Sequence, residues 1–334
     1  MKVSIRDLSK MTGFSPATIS NALNHKKGVN RETAEEIFRV ARETGYLSAN
    51  AVTKIRLVIF KKNGRILEET PFFQQMIEGI EEECHRLGYE MVISHVDQRN
   101  PNYQKQVRDL LEEQGVGIIL LGTEMMDGDL SLYRNASCPV LLLDHWTESM
   151  DFNSVLINNA DAARAITEHL LDNGHREVGY LRGNYRIKAF RSRFIGFQTA
   201  LKKYKVPYKE EYTVTVGTYM STACQDMLEY LKKKPKLPTA FFADNDIIAL
   251  GAMKALQEMG YRIPEDISIV GFDDLTFSEI SSPPLTTLRV EKREMGKMAV
   301  RRLVELIDGI GTSTVTKIQV CPKIIYRNTV KNIK

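Results

Sequence analysis

Apolar residues recur at helical spacing three times within the first 46 positions, then give way to short continuous apolar runs. Ile5, Leu8 and Met11 make the first stripe, with Ser4 as cap and Asp7 three residues on, as in a capping box. The second stripe is Ile19, Ala22 and Leu23, on a short helix that Ser15 caps and Pro16 opens after a turn at Thr12-Gly13-Phe14. Asn30 caps the third helix, which turns Ala34, Ile37, Phe38 and Ala41 inward until Gly45 ends it. From Ile55 the period changes. The pattern predicts a strand at Ile55–Phe60, a helix at Phe72–Leu87, a strand at Tyr89–Val96, a helix at Tyr103–Gln114 and a strand at Val116–Gly122. Further strands are predicted at Val140–Asp144, Val178–Leu181, Ala240–Ala243 and Ile267–Phe272. Near-continuous apolar strands separated by helices predict parallel sheets covered on both faces.

Gly88, Gly174 and Gly260 each follow a helical stripe and precede an aromatic residue or His, and they stand 86 residues apart. Helix–Gly–strand junctions are what repeated βα units produce. About 280 residues of such units exceed one open sheet of ordinary size. Two similar lobes with a cleft, and ligands at the C-terminal strand ends, are therefore expected.

Composition fits a soluble globular chain of two or three domains: 334 residues, 43% hydrophobic and 26% charged. No apolar run approaches the roughly 20 residues of a membrane-spanning helix. Residues Met1–Asp7 lack the apolar core of a signal peptide, so a cytoplasmic protein with no membrane partner is expected. Cys84, Cys138, Cys224 and Cys321 form no CxxC pair and read as reduced thiols, not a disulfide frame or metal site. The net charge of +4 is uneven, because residues 1–46 hold eight basic against five acidic side chains and so supply +3 of it. That asymmetry suits a small nucleic-acid module on a larger, nearly neutral body. The helix from Pro16 strengthens the idea, since its open face is polar and uncharged, a surface the major groove accepts. An ordinary helical hairpin has the same local pattern.

The segment Val3–Asn24 matches the helix-turn-helix signature of the lactose-repressor (LacI/GalR) family, and Glu43-Thr-Gly-Tyr46 matches its end. Pro71-Phe72-Phe73, Arg193–Phe197, Asn245–Ala252, Ile269–Asp274 and Ser282–Thr287 follow in family order. On these motifs the chain resembles a LacI/GalR transcription regulator along nearly its whole length. The resemblance implies an all-α head on an α/β, two-lobed periplasmic-binding-protein-like core with parallel sheets. The head is residues 1–46, the linker 47–54 and the core 55–334. Lobe one would be about 55–157 and 289–316, lobe two about 158–288 and 317–330. A homodimer on a pseudo-palindromic double-stranded operator is implied, together with a small effector, a sugar or sugar derivative, bound between the lobes and biasing the spacing of the heads. A repressor of carbohydrate-related genes is the expected role, with no cofactor.

Carried over position by position, Pro16, Ala17 and Asn21 would face base edges, while Ser15, Thr18, Ser20 and Asn24 complete the DNA-binding set, the last three supporting phosphates. Phe72 and Phe73 would stand at a helix start beside the effector, Tyr219 would stack on an apolar sugar face, and Asp144 would close a strand at the same rim. Arg193, Asn245 and Asp273 would hydrogen-bond effector hydroxyls, with Arg191 as a second guanidinium beside Arg193. For Phe72, Phe73 and Tyr219 the alternative is core packing; for Asp273 and Asp274 it is a loop at a strand end.

Two departures from the family stand out. Many members carry Arg where this chain has Asn21; Arg suits guanine and Asn suits adenine. Members usually place a hinge helix after Gly-Tyr, with a Leu wedged into the minor groove, whereas here eight residues separate Tyr46 from Ile55 and Val52 is the only candidate wedge. A sharp operator kink is therefore not expected.

An enzyme lacks support: there is no Walker loop, HExxH or GxSxG, and Gly115-Val-Gly117 leads into a strand. His169 and His175 read as surface or capping residues, and Asp127-Gly-Asp129 as a turn. A sugar-binding protein without a DNA role is the alternative that the body alone permits.

Overall fold

The head is built from α1 (Ile5–Thr12), α2 (Pro16–Leu23) and α3 (Arg31–Glu43). Ser4 and Asp7 close a reciprocal capping box on α1, with Ser4 N–H donating to Asp7 Oδ2 at 2.9 Å and Asp7 N–H to Ser4 Oγ at 3.3 Å. Thr18 N–H donates to Ser15 Oγ at 3.1 Å, and Thr33 N–H to Asn30 Oδ1 at 2.8 Å, so both expected caps are made. Leu8, Ile19, Ala22, Ala34, Ile37, Phe38, Val40 and Ala41 are the buried core, with Ile5, Phe14 and Leu23 packed against it. Met11 departs from the expected stripe and is exposed. The structure, a computed structural model, describes residues 3–23, 28–46, 52–68, 71–309 and 314–334.

Beyond the head the chain runs β1 (Lys54–Lys61), α4 (Phe72–Leu87), β2 (Glu90–Asp97), α5 (Tyr103–Glu112), β3 (Val116–Leu121), β4 (Val140–Leu143) and β5 (Asn153–Ile157). Then follow α6 (Asn159–Asp172), β6 (Val178–Gly183), α7 (Lys188–Lys203), β7 (Thr213–Val216), α8 (Met220–Lys232), β8 (Ala240–Ala243), α9 (Asp246–Glu258) and β9 (Ser268–Val270). The chain closes with α10 (Thr276–Ile280), β10 (Thr287–Arg289), α11 (Lys292–Ile307), β11 (Lys317–Val320) and β12 (Lys323–Ile325). One sheet has the order β11-β5-β4-β3-β1-β2 and a second β7-β6-β8-β9; β10 and β12 form an antiparallel pair. The pairs β1–β2, β1–β3, β3–β4, β6–β7, β6–β8 and β8–β9 are all parallel. The near-uninterrupted burial of β3 and β8 is what helices on both faces require.

By internal contacts the chain divides into two units: Met1–Lys62, Gln74–Val155 and Lys292–Lys317 in the first, Asn63–Phe73, Leu156–Glu291 and Ile318–Lys334 in the second. The segment Asn63–Phe73 thus groups with the second unit, where Thr218 Oγ1 donates to the Arg65 carbonyl at 3.3 Å. Of the linker, residues 47–51 lie outside the described residues, and Thr53 already donates to the Gly115 carbonyl at 3.0 Å.

The three evenly spaced glycines share one geometry. Gly88, Gly174 and Gly260 have φ of 77°, 96° and 85°. In each case the residue after the glycine donates back to the carbonyl five positions before itself: Tyr89 to Cys84, His175 to Leu170 and Tyr261 to Leu256. Gly79 and Gly296 do something different. A Cβ on Gly79 would stand 2.1 Å from the Arg293 carbonyl oxygen, and one on Gly296 2.3 Å from that of Met76, so this glycine pair lets α4 and α11 touch along their backbones.

Two expectations are corrected here. His175 is buried, not a surface residue: Nε2–H donates to the Lys331 carbonyl at 3.1 Å while Nδ1 meets Thr239 Oγ1 at 2.9 Å, pinning the C-terminal segment to the second unit. Burial holds its pKa below the usual value. Asp129 is more than a turn residue: in a short 3-10 helix at Asp127–Tyr133 it accepts from Met126 N–H at 2.8 Å and pairs with Lys62 at 2.9 Å.

Candidate functional site

In the head, Ser15, Pro16 and Ala17 are exposed at the start of α2, and Thr18, Ser20 and Asn21 are half-buried on the same short helix. Asn24 lies outside the described residues. Ile19 and Ala22 point into the core and so fix which face remains open. The open face carries no charged side chain, and Ser15 Oγ and Thr18 Oγ1 are joined at 2.8 Å. Such a surface can offer hydrogen bonds and small apolar contacts to base edges without long-range attraction.

The second unit contains a continuous buried polar cluster at the C-terminal ends of β6, β8 and β9. Arg193, on the inward face of α7, is at its centre and only 3% exposed. Its Nε donates to Asn159 Oδ1 at 2.8 Å, one terminal nitrogen to the Asp244 carbonyl at 2.6 Å and the other to Asp273 Oδ1 at 3.3 Å. The guanidinium also lies 3.6 Å above the Phe272 ring, a cation–π contact. Asp244, fully buried, accepts from Tyr180 Oη at 2.5 Å, from Gly183 N–H at 2.8 Å and from Arg186. Asp246 accepts from Ser278 Oγ at 2.6 Å, Thr287 Oγ1 at 2.5 Å and Leu275 N–H at 2.9 Å. Burial pushes its carboxyl up to about 7, with the nearby Asp273 adding to the rise and the three donors opposing it. Burial likewise raises Asp244, against the pull of Arg186.

The structure therefore joins Arg193 to Asp273. Asn245 uses Oδ1 to cap α9, accepting Ile248 N–H at 3.0 Å. Arg191 is exposed on the opposite side of α7 from Arg193, as two residues along a helix dictate. The second guanidinium of the cluster is Arg186, which shares the Phe190 ring with Arg193 at 5.5 and 5.6 Å. Phe72 and Phe73 are both buried and meet edge to face at 5.1 Å at the start of α4. Tyr219 is half-buried just before α8. Asp144 belongs to the first unit, in a left-handed backbone conformation of φ 56° that lets its carboxylate accept from Thr123 Oγ1 at 2.7 Å.

Residues 167–330 match the periplasmic binding protein-like domain. The HTH-type transcriptional repressor PurR of Haemophilus influenzae (strain PittEE) is 30% identical, over 98% of this chain and 99% of its own length. This chain belongs to the LacI family of transcriptional repressors. The lac repressor dimer bound to operator and the anti-inducer ONPF has the same fold, with a TM-score of 0.71 at 25% identity over 99% of this chain and 100% of that one. The complex of the regulator CelR with cellobiose gives 0.74 at 24% identity, covering 98% and 100%.

Within this LacI-family repressor, sequence reasoning missed Asn159, Tyr180, Arg186, Asp244 and Asp246. One signal was present: Asp244-Asn245-Asp246 directly follows the apolar strand Ala240–Ala243, and two carboxylates there need buried partners. Tyr180 carried none, being an aromatic inside a strand. Among the described residues no group of three His, Cys, Asp or Glu could hold a metal ion, and no helix is long and apolar enough to cross a membrane.

Proposed function

We propose that this repressor acts in the cytoplasm as a homodimer that reads two operator half-sites through α2, and that a small polyhydroxylated effector, a sugar or sugar derivative, tunes its grip through Arg193 and Asp273. The observation that carries the reading is the head: a capped, charge-free α2 with an exposed N-terminus, on a chain similar from end to end to known repressors. The lac repressor relative is dimeric and operator-bound, which supports the same assembly here. An acceptor and a donor side by side, as in the Asp273–Arg193 pair, suit vicinal hydroxyls, each of which can donate to the carboxylate and accept from the guanidinium. A sugar-binding protein without a DNA role would have no use for such a head. Operator titration from low to high salt tests the proposal: log affinity is expected to fall linearly with log salt, because phosphate contacts release counterions. Failure to prefer any operator sequence over random DNA would refute it.

The base preference follows from Asn21, half-buried on α2. Asn21→Arg is expected to move selected half-sites from adenine toward guanine at one position, with discrimination of about 1–3 kcal/mol for a bidentate contact. Unchanged preference in a randomised-operator selection would remove Asn21 from the reading set.

A further inference from the structure

Ser9 and Thr12 stand in the last turn of α1 and lie outside the expected DNA-contact set, yet both act on the residue that precedes the cap of α2. Ser9 Oγ donates to the Phe14 carbonyl at 2.6 Å. Thr12 Oγ1 donates to the Leu8 carbonyl at 2.8 Å and accepts Phe14 N–H at 3.4 Å. Between them Gly13 is left-handed at φ 73°, and its N–H returns to the Ser9 carbonyl at 3.0 Å. Both backbone polar groups of Phe14 are thus held from α1, while its half-buried ring packs on the head core. Ser15 follows directly and caps α2.

We propose that Ser9 and Thr12 are positioning residues for operator recognition: by clamping Phe14 they set where the N-terminus of α2 stands relative to α1. Three features of the head make such a clamp consequential. Its core contains only eight buried apolar side chains among the described residues, several of them alanines, so packing alone defines the angle between α1 and α2 weakly. α2 has no charged residue to draw a misplaced helix back to the groove. Base readout tolerates displacements of only about 0.5 Å in the supporting geometry. The inference rests on the operator-binding reading, which the wild-type titration in the same experiment checks separately.

The test uses the full chain with Ser9→Ala, Thr12→Val and the conservative Thr12→Ser, titrated against operator and random-sequence DNA over a salt series. Ser9→Ala and Thr12→Val are each expected to weaken operator binding roughly five- to tenfold, the scale of one lost hydrogen bond. Affinity for random DNA and the salt slope should stay at wild-type values, because phosphate contacts need less exact placement. Thr12→Ser, which keeps the hydroxyl, should restore operator binding. Wild-type operator affinity in both Ser9→Ala and Thr12→Val would overturn the proposal. Equal losses on the two DNAs would overturn it too, since they mark a destabilised head and not a displaced helix.

Discussion

Arg193→Ala is expected to destabilise the second unit by about 3–5 kcal/mol, the usual cost of removing one partner from a buried charge pair. The side chain makes three hydrogen bonds and covers Phe272, and each of its acceptors loses one donor in the substitution. Asp273, only 6% exposed and strained at φ 118°, would lose the guanidinium that donates to it. The variant should also be pH-dependent in a definite sense. Asp246, whose folded pKa is raised to about 7 partly by Asp273, binds a proton in the folded state that the unfolded chain has already released above its ordinary carboxyl pKa. Its contribution to stability is therefore complete at low pH and is lost as pH rises through about 7. Without Arg193 the repulsion between Asp246 and Asp273 loses an opposing cation, so the deficit should be larger at about pH 8 than at about pH 5.5. The single tryptophan, Trp146, lies in the first unit and allows the units to be told apart. In urea, far-UV circular dichroism of Arg193→Ala should begin to fall before tryptophan fluorescence changes. A single coincident transition at the wild-type midpoint would show that the pair contributes nothing to the second unit.

That cluster also marks how far the sequence could be read. Periodicity located α4 residue for residue, because Pro71 precedes it and Gly88 ends it in a left-handed cap. It overextended β9, expected over Ile267–Phe272 and found at Ser268–Val270. The reason is local: a Cβ on Gly271 would stand 2.2 Å from Asp246 Oδ1, so the backbone there yields its space to a buried carboxylate. Composition does not announce that. Arg193 was legible as a candidate, but pairing it with Arg191 ignored the helical period, which turns residues two apart away from each other. Arg186, two residues ahead of α7, could not be placed by any period. Asn245 shows a different limit. A polar residue between a strand and a helix can bind a ligand or cap the helix, and only the 3.0 Å bond to Ile248 shows that its oxygen caps.

Phe277→Glu combined with Ile280→Glu is expected to give a monomer whose operator affinity is lower by a factor of roughly 10²–10⁴, the avidity lost when two linked binding modules become one. The argument begins with exposure. Ile280 is 72% and Phe277 45% exposed on the five-residue α10. They border a groove of about 250 Å³ floored by Met220, Leu250 and Met253. Apolar side chains clustered in this way, with the polar Lys254, Gln257 and Ser282 at the edge, have the anatomy of a protein interface: an apolar centre and a hydrophilic rim. In the proposed homodimer the occupant is the same face of a second copy, since a two-fold contact uses one patch on both partners. Two glutamates per face would place four carboxylates at the centre of that contact, where desolvation and mutual repulsion both oppose association. Both side chains are exposed, so each half-site should still be recognised, weakly, by a folded monomer. Sedimentation equilibrium and operator titration on the same preparation separate the outcomes. A dimer with undiminished operator affinity would place the two-fold interface elsewhere on the chain, whereas a monomer with undiminished affinity would mean that one head suffices.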